Sequence, residues 1–423
     1  MSDSGFDIVI VGGGLAGGLT LLALHQSRPN FRVALVEAGK TLGGNHRWSW
    51  FESDLDARGK ALMDPFRKTE WHKGYDVRFP KLKRRLDTGY SSLASADFHE
   101  GLTRLLPAES LYLGRKADEI EESGVTLDDG TRLEARLVLD CRSFEPSEHL
   151  RGGWQIFMGR HMRLNEAHGL EHPMIMDADV DQLAPHGNGG AYRFVYVLPL
   201  ASHDVFIEDT YYADDPKLDR AALSGRIDQY ARDHGWQNGV PVGHEAGLLP
   251  VLTGGDFDAY QNEVRIPGVA IAGARGGFTH PLTSYTVPIA VENALAFADD
   301  ADLPASQMVA VFEARARKHW ANTGYYRLLA RFLFFAADPD KRFVIFQRFY
   351  GLGQGLIERF YAARSPLRDR VRVLWGKPPV SIPRAVAAMF NRGKPLIGKA
   401  KTAPQSDSPH SDNTTATHSE TAA

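Results

Sequence analysis

Three glycines near the N-terminus have the spacing of a dinucleotide-binding turn. Gly12, Gly14 and Gly17 form the pattern G-x-G-x-x-G, in which glycine permits a tight turn and lets the backbone approach a pyrophosphate. Glu37 follows twenty residues after Gly17, where a carboxylate can accept hydrogen bonds from ribose hydroxyls. The combination predicts a site for the adenosine half of FAD or NAD and disfavours the additional phosphate of NADP.

The segments around these glycines have the composition needed to position them. Phe6–Val11 (FDIVIV) is apolar and β-branched like a buried strand, and residues 19–24 form an apolar helical run. A second strand is predicted over residues 31–37 (FRVALVE). Strand, helix and strand at this spacing indicate a parallel crossover. The alternative is a glycine-rich turn without a ligand.

Two adjacent carboxylates, Glu208 and Asp209, lie in a second strand-like segment, residues 205–212 (VFIEDTYY). Because side chains alternate along a strand, Glu208 shares a face with Thr210, and Asp209 takes the other face. A buried carboxyl group has a raised pKa and can act as a general acid near neutral pH. From these residues alone, however, we favour an exposed acidic pair at a sheet edge over a buried acid.

The order of the predicted elements indicates an α/β protein. It combines a Rossmann-type cofactor domain, a mostly antiparallel β-sheet domain and a C-terminal helical region. A hairpin is predicted around Asp129-Gly130. We divide the chain into a discontinuous cofactor domain (1–145 and 264–304), a β-rich substrate domain (146–263), a helical region (305–400) and a disordered tail (401–423).

Charge is unevenly distributed, although the 423-residue chain is nearly neutral. It contains 49 basic and 52 acidic residues, a formal net charge of −3, which gives no indication of a nucleic-acid partner. Residues 321–400 hold 15 basic and 4 acidic residues, and residues 325–361 contain eleven aromatic residues. Stripes such as Phe346, Phe349 and Tyr350 predict either an interfacial helix on anionic lipid or a helix facing the core. No apolar run approaches the ~20 residues of a membrane-spanning helix.

The sequence after Glu37 resembles flavoproteins of the glutathione-reductase-like class, in which E-x-G-x-x-x-G-G follows the second strand. A later strand-plus-glycine segment resembles the second FAD contact of that class. The resemblance implies that FAD is bound by Gly12, Gly14, Gly17, Glu37, Gly44, His46, Gly273, Gly276 and Gly277. Ala274 stands where many flavoprotein hydroxylases have an aspartate, which disfavours an ordinary hydroxylase.

Six segments, in the same order, resemble the bacterial lycopene β-cyclases. They are residues 43–50 (GGNHRWSW), 139–142 (LDCR), 173–182 (PMIMDADVDQ), 192–200 (YRFVYVLPL), 206–210 (FIEDT) and 276–288 (GGFTHPLTSYTVP). Each segment alone is weakly specific, whereas the ordered set is specific. The resemblance extends over about residues 5–300 and more loosely over the helical region.

The resemblance implies a redox-neutral isomerase reaction. A carboxylic acid protonates the terminal double bond of lycopene, the next double bond attacks the cation, and proton loss leaves a β-ionone ring; two such rings make β-carotene. The resemblance assigns this chemistry to the motif containing Glu208 and Asp209. On this basis we take Glu208 as the acid and later proton acceptor, and we expect Asp209 to support the strand or a neighbouring loop. Reduced FAD is implied near the cation, with NAD(P)H as a candidate electron donor. It also implies lycopene and carotenoid intermediates as ligands, and a peripheral position on the cytoplasmic side of the inner membrane. No metal and no nucleic-acid partner are expected.

Further side chains are assigned supporting roles. Aromatic candidates for shielding the cation, each with core packing as its alternative, are Trp154, Phe157, Tyr192, Phe194 and Tyr285. His46 and His280 are expected near the flavin without transferring protons, and Asp140 and Arg142 are expected to organise the flavin domain. Two rival functions stay open: an FAD-dependent monooxygenase or saturase acting on an isoprenoid lipid, and a non-enzymatic FAD-binding, membrane-associated protein.

Overall fold

A computed structural model describes residues 5–183, 190–376 and 379–397; the tail predicted to be disordered lies outside them. The strands, in chain order, are β1 (Phe6–Val11), β2 (Val33–Glu37), β3 (Arg47–Phe51), β4 (Thr69–Trp71), β5 (Tyr75–Phe79), β6 (Leu82–Leu86), β7 (Tyr90–Ala94), β8 (Leu111–Leu113), β9 (Ala117–Glu121), β10 (Gly124–Leu127), β11 (Arg132–Asp140), β12 (Leu150–Arg163), β13 (Met174–Asp177), β14 (Tyr192–Ala201), β15 (Asp204–Ala213), β16 (Val240–Gly255), β17 (Ala270–Ile271) and β18 (Lys394–Pro395). The helices are α1 (Leu15–Ser27), α2 (Ala57–Met63), α3 (Ser95–Leu105), α4 (Arg220–Asp233), α5 (Phe257–Val264), α6 (Val287–Asp299), α7 (Ala305–Asn322), α8 (Gly324–Arg331), α9 (Phe343–Tyr350), α10 (Gln354–Tyr361), α11 (Leu367–Leu374) and α12 (Ile382–Phe390).

The first sheet has the strand order β8-β2-β1-β11-β10-β9, and β17 pairs with β11 beside this path. Strands β8, β2, β1, β11 and β17 are parallel, so their carboxyl ends meet at one edge of the sheet. Helix α1 is apolar on nearly all sides because it packs between this sheet and α6. The predicted β1-α1-β2 crossover and the hairpin at Asp129-Gly130 are confirmed.

The second sheet has the order β16-β12-β15-β14-β13-β5-β6, with β18 added to β12. Every pair is antiparallel except β13 with β5, so the predicted mostly antiparallel sheet is present. The predicted range of 146–263 nevertheless leaves out β5 and β6, which come from residues 75–86. Their alternating apolar and charged residues form a local hairpin, and only a distant strand, β13, joins that hairpin to this sheet.

Helices cover the two faces of the second sheet. On one face α4 packs against the strands, where Ile227 and Ile207 belong to one buried apolar cluster. The other face carries an aromatic layer that packs against α8, α9 and α10, with the rings of Tyr192 and Phe346 stacked at 4.7 Å between centroids. A small sheet of order β3-β7-β4 connects this layer to the first sheet.

The aromatic stripe of α9 belongs to that layer. Phe346, Phe349 and Tyr350 are only 6%, 8% and 0% exposed. The hypothesis that this stripe meets a membrane is therefore wrong, and the alternative of core packing is correct, because the second sheet offers an apolar face that α9 covers. In the described ranges, no helix combines the length and apolarity needed to cross a bilayer.

Candidate active site

The glycine turn follows β1 at the carboxyl edge of the first sheet. Gly12 has a φ of +104°, and a Cβ at this position would lie 2.7 Å from the carbonyl oxygen of Cys141. A Cβ on Gly17 would overlap the carbonyl oxygen of Gly12. These two glycines are therefore required by the close packing of β1, α1 and the end of β11.

Gly14 is different, because a Cβ there would meet no atom within 4 Å. Helix α1 begins directly after Gly14 with no side-chain cap and no acidic residue in its first turn. The first N–H groups of a helix carry partial positive charge and attract anions. Open space in front of an uncapped helix N-terminus fits the pyrophosphate of a dinucleotide.

Glu37 ends β2 and is held against the same turn. Its two carboxylate oxygens accept hydrogen bonds from the N–H groups of Gly13 (2.7 Å) and Gly39 (2.6 Å). The N–H of Gly43 donates to the carbonyl of Gly13 at 2.8 Å, which brings the exposed Gly44, with a φ of +62°, to this edge. The predicted nucleotide-binding residues of β1, β2 and the following turn are thus gathered at one place.

The second glycine segment approaches the first turn of α1. A Cβ on Gly273 would lie 3.1 Å from the Cβ of Ala16. Gly273 and Gly277 have φ values of +64° and +81°, and Gly276 lies in the short 3₁₀ turn between them. Gly273 therefore lies against the start of α1, and Gly276 and Gly277 follow it in the same turn.

Asp140 organises the neighbouring strand end, as predicted. It is fully buried and accepts hydrogen bonds from Nε and Nη2 of Arg142 at 2.9 and 2.7 Å. Nε of Arg275 forms an ion pair with the same carboxylate at 3.3 Å. The carboxylate thus ties β11 to the 3₁₀ turn of the second glycine segment.

The two candidate histidines have different environments. His46 is exposed beside the glycine turn. His280 is buried, with Nε2 bonded to the carbonyl of Phe360 at 3.1 Å and Nδ1 accepting from two backbone N–H groups of its own loop. Burial lowers the pKa of His280 to about 3, so the ring is neutral. His280 therefore acts as a scaffold between its loop and α10.

Glu208 and Asp209 lie on opposite faces of β15, as strand alternation predicts. Asp209 is fully buried and accepts hydrogen bonds from Nε of Arg193 (2.6 Å) and Nε of Arg226 on α4 (2.9 Å). This placement agrees with the expectation that Asp209 supports the strand. It corrects the inclusion of Asp209 among the catalytic residues, because its side chain is directed away from the Glu208 face. It joins α4 to the sheet.

Glu208 has a partner that the sequence analysis missed. Gly159 of β12 pairs with Glu208 on one side and with Glu245 of β16 on the other. The two carboxyl groups hydrogen-bond to each other, and burial raises the pKa of both, that of Glu208 to about 7. No motif surrounds Glu245 in the sequence, and its proximity depends on the register of three strands.

Polar groups complete the surroundings of Glu208. The hydroxyl of Thr210 donates to its Oε1 at 2.7 Å. Tyr196, opposite Glu208 on β14, hydrogen-bonds through its hydroxyl to Ser49 of β3 at 2.8 Å and to Tyr90 of β7 at 3.1 Å. These contacts fix the second sheet against the small sheet that follows the glycine turn.

The Glu245 side of the pair faces Arg47, the first residue of β3. The backbone N–H of Arg47 donates to the Glu245 carboxyl group. The Arg47 guanidinium lies 5.5 Å from the ring centroid of Phe206 and donates to Ser92 at 3.3 Å. The carboxyl pair therefore lies where the second sheet meets β3, the strand that follows Gly43 and Gly44.

The aromatic candidates divide between the faces. Phe157 pairs with Thr210 and shares the Glu208 face, where Tyr192 stacks on Phe194 at 5.6 Å. Trp154 belongs to the opposite face, because it pairs with Ala213. Phe157 and Phe194, both register partners of Thr210, thus lie near Glu208, whereas Tyr192 stacks on Phe346 of α9 and takes the alternative of core packing.

Tyr285 belongs to a second buried acidic group that the sequence analysis also missed. Its hydroxyl hydrogen-bonds to the carboxylate of Asp54 and lies 3.1 Å from the N–H of Phe51. Burial raises the pKa of Asp54 to about 6. Asp54 follows β3, so the end of this strand is tied to the loop that carries Tyr285.

The fold and site define a class: an α/β protein with the architecture of FAD-dependent enzymes, in which a hydrogen-bonded pair of carboxyl groups lies near the strand that follows the glycine turn. The structure is similar to a geranylgeranyl bacteriochlorophyll reductase-like protein from Thermoplasma acidophilum (TM-score 0.58, 13% identity, covering 91% of this chain and 98% of that chain). It is also similar to a flavin-dependent halogenase from Xanthomonas campestris (TM-score 0.54, 14% identity, covering 93% and 89%). At these identities the likeness establishes the fold.

Sequence comparison identifies the family within that class. The family model for lycopene cyclase proteins matches residues 7–387. The chain is 40% identical over 385 residues to a lycopene beta-cyclase of Pseudescherichia vulneris, covering 91% of this chain and 97% of the relative. It is 38% identical over 385 residues to a lycopene beta-cyclase of Pantoea ananas, covering 91% and 98%. The chain belongs to the lycopene cyclase family, which confirms the resemblance found in the sequence.

Proposed function

We propose that this protein is a lycopene β-cyclase, an isomerase that closes both ends of linear lycopene into β-ionone rings and yields β-carotene. The names of its relatives support the substrate. The observation that carries the proposal is Glu208, a carboxyl group on the aromatic face of the second sheet whose pKa is raised to about 7 by burial. Such a group still holds its proton near neutral pH and can deliver it to an alkene.

The reaction needs one proton donor and acceptor. Glu208 gives its proton to the terminal double bond, which forms a C–H bond and leaves a tertiary carbocation. The electron pair of the next double bond then forms the C–C bond that closes the ring. The Glu208 carboxylate removes a proton from the ring cation, which restores the acid and leaves a C=C bond. Atoms and electrons balance without an oxidant or a reductant being consumed.

The aromatic layer supports the cationic step. Rings near Glu208, such as Phe157 and Phe194, attract a nearby cation by about 1–2 kcal/mol each when water is absent. They also lack the lone pair with which water would quench the cation. A face built from aromatic side chains therefore favours ring closure over hydration.

The cofactor we assign to the nucleotide edge is FAD in its reduced form, with NAD(P)H as the electron donor. The open space at Gly14 and the uncapped start of α1 fit its pyrophosphate. When bound, reduced FAD supplies negative charge that stabilises a neighbouring cation. The residues we assign to its binding are Gly12, Gly14, Gly17, Glu37, Gly44, His46, Gly273, Gly276 and Gly277.

An anaerobic assay with reduced FAD and lycopene separates this function from its rivals. We expect β-rings to form with no uptake of oxygen and no net consumption of reductant. A product that gains oxygen or two hydrogen atoms would identify a monooxygenase or a saturase. Absence of any product, with FAD bound, would favour the non-enzymatic alternative.

We also propose that the protein meets the membrane surface through α11 and α12, which would give access to a substrate dissolved in the bilayer. The exposed apolar side chains of α11 and its C-terminal end are Leu367, Val371, Leu374 and Trp375. Those of α12 are Ile382, Val386, Met389 and Phe390. In each helix the spacing is i, i+4, i+7 and i+8, which forms one stripe.

The positive charges beside the two stripes support an anionic lipid surface as their binding partner. Arg368 and Arg372 are exposed on α11, and Arg392 follows α12. An apolar stripe flanked by arginines is the pattern of a helix lying in the interface of an anionic bilayer. We propose a peripheral position on the cytoplasmic side of the inner membrane, where anionic lipid would attract these arginines.

A further inference from the structure

Glu245 is the carboxyl group of the site that the acid–base cycle of Glu208 does not use. It is only 6% exposed and belongs to β16, two strands away from Glu208. An ionisable side chain is rarely buried at such a place unless its hydrogen bonds are satisfied. Its role follows from what it contacts.

The two glutamates reach each other because the strand between them has no side chain at that level. Gly159 of β12 is the register partner of both. Strands lie about 4.8 Å apart, so the backbones of β15 and β16 are separated by about 10 Å, a gap that two glutamate side chains can span. The ring of Phe206 lies where a Gly159 side chain would be.

The deeper burial of Glu245 and the Thr210 hydroxyl favour a proton on Glu245 and a charge on Glu208, although the N–H and the positive charge of Arg47 act on Glu245 in the opposite sense. Glu208 accepts from the Thr210 hydroxyl at 2.7 Å and from Glu245. Glu208 also retains partial exposure, whereas Glu245 is buried. Removal of one proton from the pair is therefore less costly at Glu208.

Other titratable or charged groups face the pair from each element packed against it. Arg47 approaches from β3, and the negative charge of Asp97 on α3 stabilises the positive charge of Arg47. Tyr196 faces Glu208 from β14, and burial keeps its hydroxyl protonated by raising its pKa well above the ordinary value. From the opposite face of β15, the negative charge of Asp209 raises the pKa of Glu208. The positive charge of Arg47 helps the pair to carry a single negative charge.

We propose that Glu245 is a positioning residue that keeps its own proton through the reaction and donates a hydrogen bond to the carboxylate that Glu208 becomes. The inference rests on the proposed function, in which Glu208 is the acid. The Glu208 O–H bond breaks as the substrate C–H bond forms, and the Glu245 O–H bond stays intact. A hydrogen bond to a charged acceptor is about twice as strong as one between neutral groups. Glu245 therefore stabilises Glu208 at the moment when its charge develops.

Two substitutions at Glu245 test this role. E245Q keeps a neutral hydrogen-bond donor, and we expect kcat within about threefold of the unsubstituted protein. E245L removes the donor, and we expect kcat to fall about 10- to 100-fold, as the loss of a hydrogen bond to a charged group predicts. KM should change little, and the alkaline limb of the pH profile should move to higher pH. E171Q, an exposed carboxylate on the surface, is the matched control.

Two results would overturn the proposal. If E245Q is as inactive as E208Q, Glu245 carries a transferred proton itself; if E245L matches the unsubstituted protein, Glu245 has no part in the reaction. FAD content and the unfolding transition, measured on each variant, separate a lost donor from a lost fold.

Infrared titration gives a readout that does not need lycopene. In the unsubstituted protein one protonated-carboxyl band of the pair should disappear near pH 7 while a second persists. In E245L the remaining Glu208 band should disappear at higher pH, and in E208Q the band that titrates near pH 7 should be absent. Loss of both bands in one step would overturn the proposal. If the unsubstituted protein makes no β-rings, the proposed function fails, and the titration still tests where the proton is held.

Discussion

Glu208 and Asp209 are consecutive in the chain, yet the side chain of Glu208 faces the aromatic layer and that of Asp209 faces α4. Glu208 pairs with a second carboxyl group, that of Glu245, whereas Asp209 pairs with two arginines. Their surroundings therefore separate an acid that keeps its proton from an anion that stabilises the fold.

Substitution of these two residues should separate activity from stability. E208Q should lower the cyclisation rate by at least about 100-fold, because an amide cannot supply the proton, while the unfolding midpoint stays the same or rises. D209N should lower the free energy of unfolding by about 3–5 kcal/mol, because Arg193 and Arg226 lose their buried partner, with kcat per folded molecule little changed. Pigment analysis and denaturant unfolding measure the two effects. Loss of kcat in D209N with full stability would contradict the assignment.

The pH dependence of the rate should follow Glu208. Its pKa is raised from an ordinary value of 4.5 to about 7, so the acid form is present below pH 7 and the rate should fall above it. E208D, which keeps a carboxyl group, should retain an alkaline limb even if its maximum rate is lower. A rate that is constant from pH 6 to about 9 would exclude a carboxyl group of this pKa as the acid.

The stability of the protein, like the rate, should fall as the pH rises. Because Glu208 has a higher pKa in the folded chain, the folded state binds more protons than the unfolded state, and the free energy of unfolding falls as pH rises from 4.5 to about 7. Asp54 contributes in the same direction between 3.8 and about 6. E208Q should flatten the upper part of this dependence and D54N the lower part, as measured by unfolding at a series of pH values. A dependence that is unchanged in both variants would argue against the raised pKa values.

Gly159 should resist substitution because its missing side chain lets the carboxyl groups meet. In G159A the new methyl group would overlap the ring of Phe206, which is itself buried. We expect a loss of about 1–3 kcal/mol of stability from overpacking, and a fall in kcat greater than that of any equally destabilised surface variant. G225A is the control, because a Cβ at Gly225 of α4 meets nothing within 4 Å. Wild-type stability and activity in G159A would show that the strand can adapt.

Two glycines of the nucleotide turn should respond differently to alanine. G14A should leave the stability of the cofactor-free protein within about 0.5 kcal/mol, since its Cβ meets no protein atom. It should weaken FAD binding at least about tenfold, or 1.4 kcal/mol, because the methyl group occupies the space assigned to the pyrophosphate. G17A should destabilise the protein even without FAD, because its Cβ overlaps the carbonyl of Gly12. Fluorescence titration with FAD and thermal unfolding distinguish the two variants. Unchanged FAD affinity in G14A would show that the pyrophosphate does not bind at this turn.

The membrane face can be tested by removing its largest exposed rings. Trp375 and Phe390 are 72% and 80% exposed, so W375S/F390S should fold normally and bind vesicles containing phosphatidylglycerol at least about tenfold more weakly. V240S/V242S is the matched control, because Val240 and Val242 are exposed at the far end of β16 from β18. Co-sedimentation with the vesicles measures the effect. Equal losses of vesicle binding in the two double variants would show that α11 and α12 are not the specific membrane contact.

Local rules account for the features that the sequence predicted. The β1-α1-β2 crossover follows from a short apolar strand, glycines that permit the turn and a second strand ending in Glu37. The placement of Glu208 and Asp209 on opposite faces follows from the period of two in a β-strand. These patterns involve neighbours in the chain, so they can be recognised without knowing which other segments pack against them.

The remaining features depend on contacts between distant segments. The chain order alone does not bring Glu245 to Glu208, because their approach requires the register of β16, β12 and β15 and the absence of a side chain at Gly159. Phe346 has the same helical spacing whether it faces lipid or protein, and only the aromatic face of the second sheet buries it. By itself the sequence determined the nucleotide turn and the face of the acid; the tertiary structure decided the partner of the acid and which apolar surface remains exposed, since register and burial are properties of packed segments.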